Sequence, residues 1–389
     1  MTNAMATVSV WEERTNWAGL APTAYCRAAA AVGIGEPSPP VEIPRRQILL
    51  GDAVERLRGL PTASVDCCVT SPPYYQLRDY AAPGQLGLEP TVDDWVNSMR
   101  QVLAEVARVL KPAGSLWLNL GDSFSRHAKY GAPPKGLLCA PERLLLALAD
   151  DGWIVRNKVI WAKPNPLPTS ITDRLTLSYE VVYLLVRSPR YFFDLDAIRG
   201  PHRSHAGRKA GAPIEKRPDW AGPLAGKQDG LRRARSADQP GHELGKNPGD
   251  VWTIPTRGFR GPHFATFPPE LIRRPILATC PEAVCTRCGV PWKRTVTVRR
   301  IPVGPPAKRP FVRDRQVMRF GDRWHTVREV GDLVPCSCNA PTVPGLVLDP
   351  FMGAGTVGLV AEQLGRDWLG VEINPDYADL ALRRIEAAR

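Results

Sequence analysis

The sequence predicts an α/β protein in which helices pack on a layered sheet. Apolar runs of strand length alternate with stretches of helical periodicity along most of the chain. A length of 389 residues is enough to bury a large core. The chain also closes on one complete β-α-β-α unit, read from "GLVLDP", "TVGLVAEQLG", "DWLGVEI" and "PDYADLALRRIEAAR".

The first half of the chain supplies most of the predicted strands. Residues "QILLGDAVERLRGLP" predict a strand, a turn at Gly51-Asp52 and a helix, and "ASVDCCVTSPPYY" predicts a strand and its exit. Thr91 begins a helix with apolar residues on one face, and Lys111 to Gly114 ends it. A strand, a helix from Pro141 to Asp150 and two further strands follow: "SLWLNLGD", "WIVRNKVIWAKPN" and "YEVVYLLVRS".

Two irregular segments interrupt this alternation. We expect a loose leader over 1–45, one half of the folded body over 46–200, and its other half over 262–282 and 342–389. The insertions between them are 201–261, rich in Gly, Pro, Arg and Lys, and 283–341, which is framed by cysteines.

The net charge of +12 is concentrated near these insertions. Residues 201–260 hold twelve Lys/Arg against six Asp/Glu, and 291–335 hold eleven against four. A near-neutral body with two basic attachments suits a polyanionic partner, although basic loops also aid solubility. No apolar run is long enough to span a membrane, and the N-terminus lacks the pattern of a secretory signal. The composition therefore indicates an intracellular protein.

Four of the nine cysteines form two close pairs, Cys285-x-x-Cys288 and Cys336-x-Cys338. Two pairs of thiols separated by a loop are typical of a tetrahedral zinc site, and a small basic module could use such a site as its core. Reduced thiols in a loop are the alternative interpretation. Cys280 is a fifth candidate, although it lies in a segment of the body.

The turn Gly353-x-Gly355-x-x-Gly358 follows a strand and begins a helix, as in dinucleotide-binding sites. Glu372, at the end of the next strand, could accept hydrogen bonds from ribose hydroxyls. A dehydrogenase would need further strands after this unit, and only a helix remains. The alternative is a tight strand–helix turn without a ligand.

The segments "VLDPFMGAGTVG…WLGVEINPDYADLALRRI" and "TSPPYY" together resemble the S-adenosylmethionine-dependent DNA amino-methyltransferases. The resemblance is to the permuted group, in which the catalytic motif precedes the cofactor motif, and it runs from about Gln47 to Ile385. It implies a class I methyltransferase fold: a doubly wound, mostly parallel, Rossmann-like sheet, circularly permuted, with residues 46–200 as the catalytic half.

The resemblance also implies a set of cofactor-binding residues. Glu372 would hold the ribose hydroxyls, and Asp52 would face the adenine edge unless it only caps a helix. Phe264 would form part of the pocket wall. The methionine and ribose side of S-adenosylmethionine would be lined by Asp349, Phe351, Gly353, Gly355 and Thr356.

The tetrad Ser71-Pro72-Pro73-Tyr74 is the implied catalytic turn. Ser71 Oγ and the Pro72 carbonyl could accept hydrogen bonds from both hydrogens of a base amine, held in place because proline fixes φ. Tyr74 could stack on a flipped base. A Ser-first tetrad favours cytosine-N(4) methylation, and adenine-N(6) is the alternative. Cys67 and Cys68 raise the alternative of a cysteine nucleophile, as in methylation at carbon 5 of cytosine. Both cysteines lie within an apolar strand, which argues against an exposed, activated thiolate.

The implied partner is double-stranded DNA, with 201–261 as the target-recognition segment and the cysteine-framed module helping to grip the duplex. A cognate restriction endonuclease is one candidate partner, and the expected location is the cytoplasm of a bacterial, archaeal or phage-infected cell. Two other interpretations are an RNA base methyltransferase and a DNA-binding zinc protein without catalytic activity.

Overall fold

The computed structural model describes residues 42–80, 82–200, 244–256, 267–302, 324–338 and 340–389. Most of the expected leader and most of the range 201–261 therefore lie outside the described residues. Within that range, residues 251–253 form a strand that pairs in the main sheet.

Eight strands form the main sheet in the order β1-β12-β11-β2-β3-β5-β4-β6. Only β5 runs against its neighbours β3 and β4, and every other adjacent pair is parallel. The doubly wound, mostly parallel sheet predicted from the sequence is thus confirmed. The strands are β1 (Gln47–Leu50), β2 (Val65–Thr70), β3 (Leu110–Leu120), β4 (Ile154–Ala162), β5 (Tyr179–Val186), β6 (Val251–Thr253), β11 (Leu346–Asp349) and β12 (Asp367–Glu372).

Helices cover both faces of this sheet. One core layer packs the first three helices on the sheet, and a second layer packs the last three on the opposite face. Such three-layer packing explains why the strands read as continuous apolar runs. The helices are α1 (Ala53–Arg58), α2 (Val92–Val109), α3 (Ala140–Asp150), α4 (Pro269–Thr279), α5 (Thr356–Gln363) and α6 (Pro375–Glu386).

Helix α2 begins as its sequence predicts. Thr91 accepts a hydrogen bond from the Asp94 N–H while Asp94 accepts from the Thr91 N–H, which is a capping box. Eight apolar side chains of α2 are buried along one face. No described helix is both long and apolar enough to cross a membrane.

The end of α2 differs from the prediction. Residues 111–114, expected to terminate the helix, already belong to β3. Lys111 Nζ donates 2.6 Å to Asp66 Oδ1 and holds this segment beside β2. The pairing shifts register between Val65 and Cys67, and such an irregularity accommodates Pro112 in a strand.

A second, smaller sheet lies in the cysteine-framed region. Its four antiparallel strands follow the order β10-β7-β8-β9. These strands are β7 (Ala283–Cys285), β8 (Pro291–Pro302), β9 (Trp324–Val334) and β10 (Thr342–Val343). The chain enters this module from α4 and returns through β10 to β11.

Candidate functional site

Four parallel strands, β1, β12, β11 and β2, end beside one cleft. From β11 the chain runs through α5 to β12, whereas from β2 it runs through α2 to β3 on the other side. Because the connections leave in opposite directions, a crevice opens between the carboxyl ends of β11 and β2. Its volume is about 880 Å³, including its opening to solvent.

Both sequence motifs face this cleft. Ser71 and Pro73 line one side, and Asp349, Gly353 and Glu372 line the other. Ser71 and Gly353, which are 282 positions apart in the chain, therefore line the same cavity. This is the spatial arrangement that a transfer between two bound molecules requires.

Glu372 is held rigidly at the end of β12. Its Oε2 accepts from the Gly353 N–H at 2.7 Å and its Oε1 accepts from the Asn374 N–H at 3.0 Å. Burial raises the pKa of the carboxyl, while these backbone donors lower it. The side chain thus connects the glycine-rich turn to the end of the next strand.

Asp349 ends β11 and is almost completely buried. Its Oδ1 accepts from Thr70 Oγ1 at 2.7 Å and from the Phe351 N–H at 3.1 Å. Burial raises the pKa of the Asp349 carboxyl to about 7, because its effect is larger than the lowering by these two hydrogen-bond donors. A positive ligand beside this group would favour its charged form.

The glycine-rich turn takes left-handed backbone at Gly353, with φ of 50°, and at Gly355, with φ of 75°. Phe351, Gly353 and Thr356 line the cleft. Gly355 is not among the lining residues, because it faces helix α6, where an added Cβ would lie 2.7 Å from the Ala381 Cβ. The Thr356 hydroxyl accepts from Arg384 Nη1 at 2.8 Å.

Asp52 caps a helix, as one of its two predicted roles requires, and its adenine-facing role stays a prediction. Its Oδ1 accepts from the Glu55 N–H at 3.0 Å and caps α1, and the residue also lines the cleft. Phe264, expected in the pocket wall, lies outside the described residues, whereas its neighbour Phe267 lines the cleft.

The Ser71–Tyr74 turn, the predicted catalytic segment, is held in place by contacts on the side away from the cleft. The Pro73 carbonyl accepts from Trp95 Nε1 at 3.0 Å, and Pro72 is buried. Tyr74 is not among the residues that line the cleft, and its ring lies against Gly121. Its stacking on a flipped base therefore stays a prediction.

Sequence reasoning missed a polar network behind Ser71. Ser71 Oγ donates to the Tyr74 hydroxyl at 3.1 Å, and that hydroxyl donates to Glu180 Oε2 at 2.7 Å. Asn119 Nδ2 donates to the Tyr74 hydroxyl at 2.7 Å and to Glu180 Oε2 at 2.9 Å. Lys163 Nζ pairs with Glu180 Oε1. Burial is the main reason that the pKa of the Tyr74 phenol lies well above its usual value, and the nearby charge of Glu180 raises this pKa further.

A sequence signal for part of this network existed. Asn119 lies near the carboxyl end of β3, next to β2, which ends directly before Ser71, so its position resembles that of Thr70. Glu180 could not be found in the same way, since it lies at the start of β5. That start reaches the same edge of the sheet only because β5 is antiparallel.

The two adjacent cysteines are part of the core. Cys67 and Cys68 are fully buried, and burial raises the pKa of the Cys67 thiol to about 12. Burial likewise raises the pKa of Cys68 well above its usual value. Neither thiol is activated as a nucleophile, in agreement with the sequence argument.

The fold brings the four paired cysteines together. The sulfurs of Cys285, Cys288, Cys336 and Cys338 all lie within 4.8 Å of one another. Cys280 does not belong to this cluster; it is buried at the end of α4.

Comparison with known proteins agrees with this arrangement. Residues 65–284 and 332–383 match the N6_N4_Mtase family model, described as DNA methylase. The chain is 32% identical over 371 residues to Type II methyltransferase M.Cfr9I of Citrobacter freundii, covering 90% of each chain. It is 33% identical over 358 residues to Type II methyltransferase M.XycI of Xanthomonas campestris pv. cyanopsidis, covering 86% of each.

A solved structure shares the fold. The PvuII DNA methyltransferase, described as cytosine-N4-specific, aligns with a TM-score of 0.50 and 17% identity. The alignment covers 91% of this chain and 94% of that one. At this identity the likeness bears on the fold alone.

Proposed function

This chain belongs to the S-adenosylmethionine-dependent DNA amino-methyltransferases, and we propose that it methylates the N4 amine of cytosine at a specific duplex sequence. The observation that carries the proposal is the shared cleft, in which Ser71 and Pro73 face Asp349, Gly353 and Glu372. The Ser-first tetrad, by its resemblance to cytosine-N(4) enzymes, supports cytosine over adenine.

The cleft residues suit S-adenosylmethionine. Two buried carboxylates, Asp349 and Glu372, can interact with its cationic centre and its ribose hydroxyls, and the aromatic side chains of Phe351 and Tyr377 line the same cavity. Asp52 can face the adenine while it caps α1. Bound there, S-adenosylmethionine supplies an electrophilic methyl group on a sulfonium sulfur.

Ser71 is the proposed acceptor for the base amine. Its hydroxyl hydrogen is directed to the Tyr74 oxygen, and one lone pair of Ser71 Oγ faces Asn119 Nδ2 at 3.4 Å. The other lone pair is the proposed acceptor for an amine hydrogen. The Pro72 carbonyl is the proposed second acceptor. Two such hydrogen bonds localise the nitrogen lone pair and aim it at the methyl carbon, so positioning supplies most of the rate enhancement.

Glu180 completes the proposed mechanism behind Ser71. As the nitrogen would form its bond to the methyl carbon, the bond from that carbon to the sulfonium sulfur would break and the neutral thioether would leave. The nitrogen would carry positive charge until one amine proton left for water. The carboxylate of Glu180, reached through the Tyr74 hydroxyl, favours this developing charge. Lys163 and Asn119 hold that carboxylate in position.

The product identifies the base. Duplex DNA incubated with the protein and S-adenosylmethionine is digested to nucleosides and analysed by mass spectrometry. We expect N4-methylcytosine. N6-methyladenine alone would establish the alternative function, adenine-N(6) methylation, and transfer to RNA but not to duplex DNA would exclude both.

Ser71→Ala tests the role of the hydroxyl, and Ser64→Ala, at the other end of β2, is the matched control. We expect Ser71→Ala to lower kcat by about 10²-fold while DNA affinity is retained. Ser64 Oγ only donates to the Pro61 carbonyl, so its removal should leave kcat close to that of the parent. An unchanged rate in Ser71→Ala would refute the acceptor role.

The same proposal extends to partners and location. Residues 201–261 are the proposed target-recognition segment, and the basic charge of this range supports contact with phosphates. The Type II names of the relatives support a cognate restriction endonuclease as the biological partner. Action on genomic DNA would place the enzyme in the bacterial cytoplasm.

A further inference from the structure

The four sulfurs of the cysteine-framed module are spaced for a metal ion. All lie within 4.8 Å of one another, and Cys288 Sγ is 3.6 Å from Cys336 Sγ. A tetrahedral zinc site with Zn–S bonds of about 2.3 Å places its sulfurs about 3.8 Å apart. A disulfide needs about 2.05 Å, so the four thiols form a cluster and not two bridges.

The first pair lies on a turn shaped for chelation. The Gly289 N–H donates to the Cys285 carbonyl at 2.9 Å, and the Cys285 N–H donates to the Val290 carbonyl at 3.0 Å. Gly289 takes a left-handed φ of 67°, which lets the chain reverse directly after Cys288. Both sulfurs of this pair are thereby turned to the same side.

Among the described residues, the apolar cluster of the module is small. It contains three buried residues, Cys285, Val290 and Cys336, and two of these are members of the thiol cluster. Three buried residues offset only a small part of the conformational entropy of ordering such a unit. A bound metal commonly supplies the missing free energy in such small units.

We propose that Cys285, Cys288, Cys336 and Cys338 bind one structural Zn²⁺ ion. Thiolate sulfur selects zinc or iron among the common metals, and a closed set of four cysteines is typical of structural zinc. Four protein ligands leave no open position for water or substrate, so the ion has no part in methyl transfer.

The ion would fix the base of the β8–β9 hairpin to the body of the enzyme. Cys285 ends β7, which pairs with β10, and β10 leads within three residues into β11. The Thr286 N–H also donates to the Pro341 carbonyl at 2.9 Å. The hairpin lies in the window 291–335, which holds eleven Lys/Arg against four Asp/Glu, so its attachment should affect DNA affinity.

Metal analysis of the full-length protein tests the proposal. We expect about one zinc per chain by mass spectrometry of the metal content, and a loss of most of it in Cys288→Ser and Cys336→Ser. Cys139→Ser is the control, because this exposed cysteine precedes α3 and is not part of the cluster. Less than about half an equivalent in the parent, iron in place of zinc, or full zinc in the variants would overturn the proposal.

A second measurement serves if the variants do not fold. The parent protein is stripped with a chelator and titrated with Co²⁺, which absorbs visibly when four thiolates bind it tetrahedrally. We expect that absorption to saturate at about one equivalent and to be displaced by Zn²⁺, with a higher Tm for the reloaded protein. Absence of the thiolate absorption would contradict the site. None of these outcomes depends on which base is methylated.

Discussion

Thr70 Oγ1 donates a hydrogen bond of 2.7 Å to Asp349 Oδ1, and this contact joins the segment that leads into the Ser71–Tyr74 turn to the segment that leads into the glycine-rich turn. Both side chains are only 1% exposed. Thr70 is the last residue of β2, directly before Ser71, and Asp349 is the last residue of β11, directly before the glycine-rich turn. This buried side-chain hydrogen bond therefore adds to the parallel pairing of β2 with β11 and joins the two motifs at the point where both strands end.

Thr70→Val should uncouple the two turns. The substitution keeps the shape of the side chain but leaves a buried carboxylate without one of its donors, which costs about 1–3 kcal/mol. We expect a lower free energy of unfolding and weaker S-adenosylmethionine binding, measured by denaturant titration and calorimetry. Thr70→Ser, which keeps the hydroxyl, should lose much less of both. Equal losses in the two variants would show that packing, not the hydrogen bond, matters.

Protein stability should fall as pH rises through the range in which Asp349 ionises. Its folded pKa of about 7 lies above the ordinary value of 3.8, so the folded state retains a proton that the unfolded chain has released. The stability linked to this proton is complete below about pH 4 and is lost by about pH 7. Asp349→Asn should reduce the slope of stability against pH in this window. Glu372, whose raised pKa contributes in the same direction, is tested separately with Glu372→Gln.

Cofactor binding should show the opposite dependence on pH. A cationic ligand favours the charged form of Asp349, so binding near pH 6 should release a proton, and affinity should increase up to about pH 7. Calorimetry in two buffers of different ionisation enthalpy measures the proton release. An Asp349→Asn protein that still binds but releases the same number of protons would contradict this assignment.

Glu180→Gln should lower kcat about tenfold with little change in KM, because the carboxylate acts on Ser71 through Tyr74 and does not touch the substrate. It also leaves Lys163 without its partner carboxylate. The effect should not add to that of Ser71→Ala in the double variant.

Glu142→Gln, which removes an exposed ion pair with Lys158, is the control and should change the free energy of unfolding by less than about 1 kcal/mol. Additive effects would separate Glu180 from the Ser71 network.

Gly355→Ala should destabilise the cofactor half more than Gly365→Ala does. Both glycines have positive φ, at 75° and 65°, so both substitutions carry a similar backbone cost of about 1 kcal/mol. Only Gly355 is crowded, since its added Cβ would meet the Ala381 Cβ at 2.7 Å, whereas nothing lies within 4 Å of the same position at Gly365. Denaturant unfolding of both variants measures the difference. Equal losses would mean that helix α6 shifts at no cost.

Local sequence patterns were enough to predict the α/β fold class, the two motifs beside the cleft and the thiol pairs. Strand–helix alternation and the capping signal at Thr91 depend on residues close in the chain, which is why local periodicity predicts them. The apolar run around Cys67 and Cys68 likewise predicted burial, and burial is what keeps these thiols unreactive. The residues on both sides of the cleft were named from the family resemblance of two short motifs, and each motif is local because it directly follows the end of a strand.

The side chains that support Ser71 could be identified only from the three-dimensional packing of the chain. Lys163 lies 89 residues beyond Tyr74 and Glu180 lies 106 residues beyond it. Lys163 directly follows the carboxyl end of β4, whereas Glu180, at the start of β5, reaches the same edge of the sheet because β5 is antiparallel to β3 and β4. Strand direction and register arise from long-range pairing, and no local pattern encodes them. The same holds for Gly355, which fits the cofactor fingerprint in sequence but faces helix α6 in space. The roles of such residues follow from what packs against them, and packing is set by the whole chain.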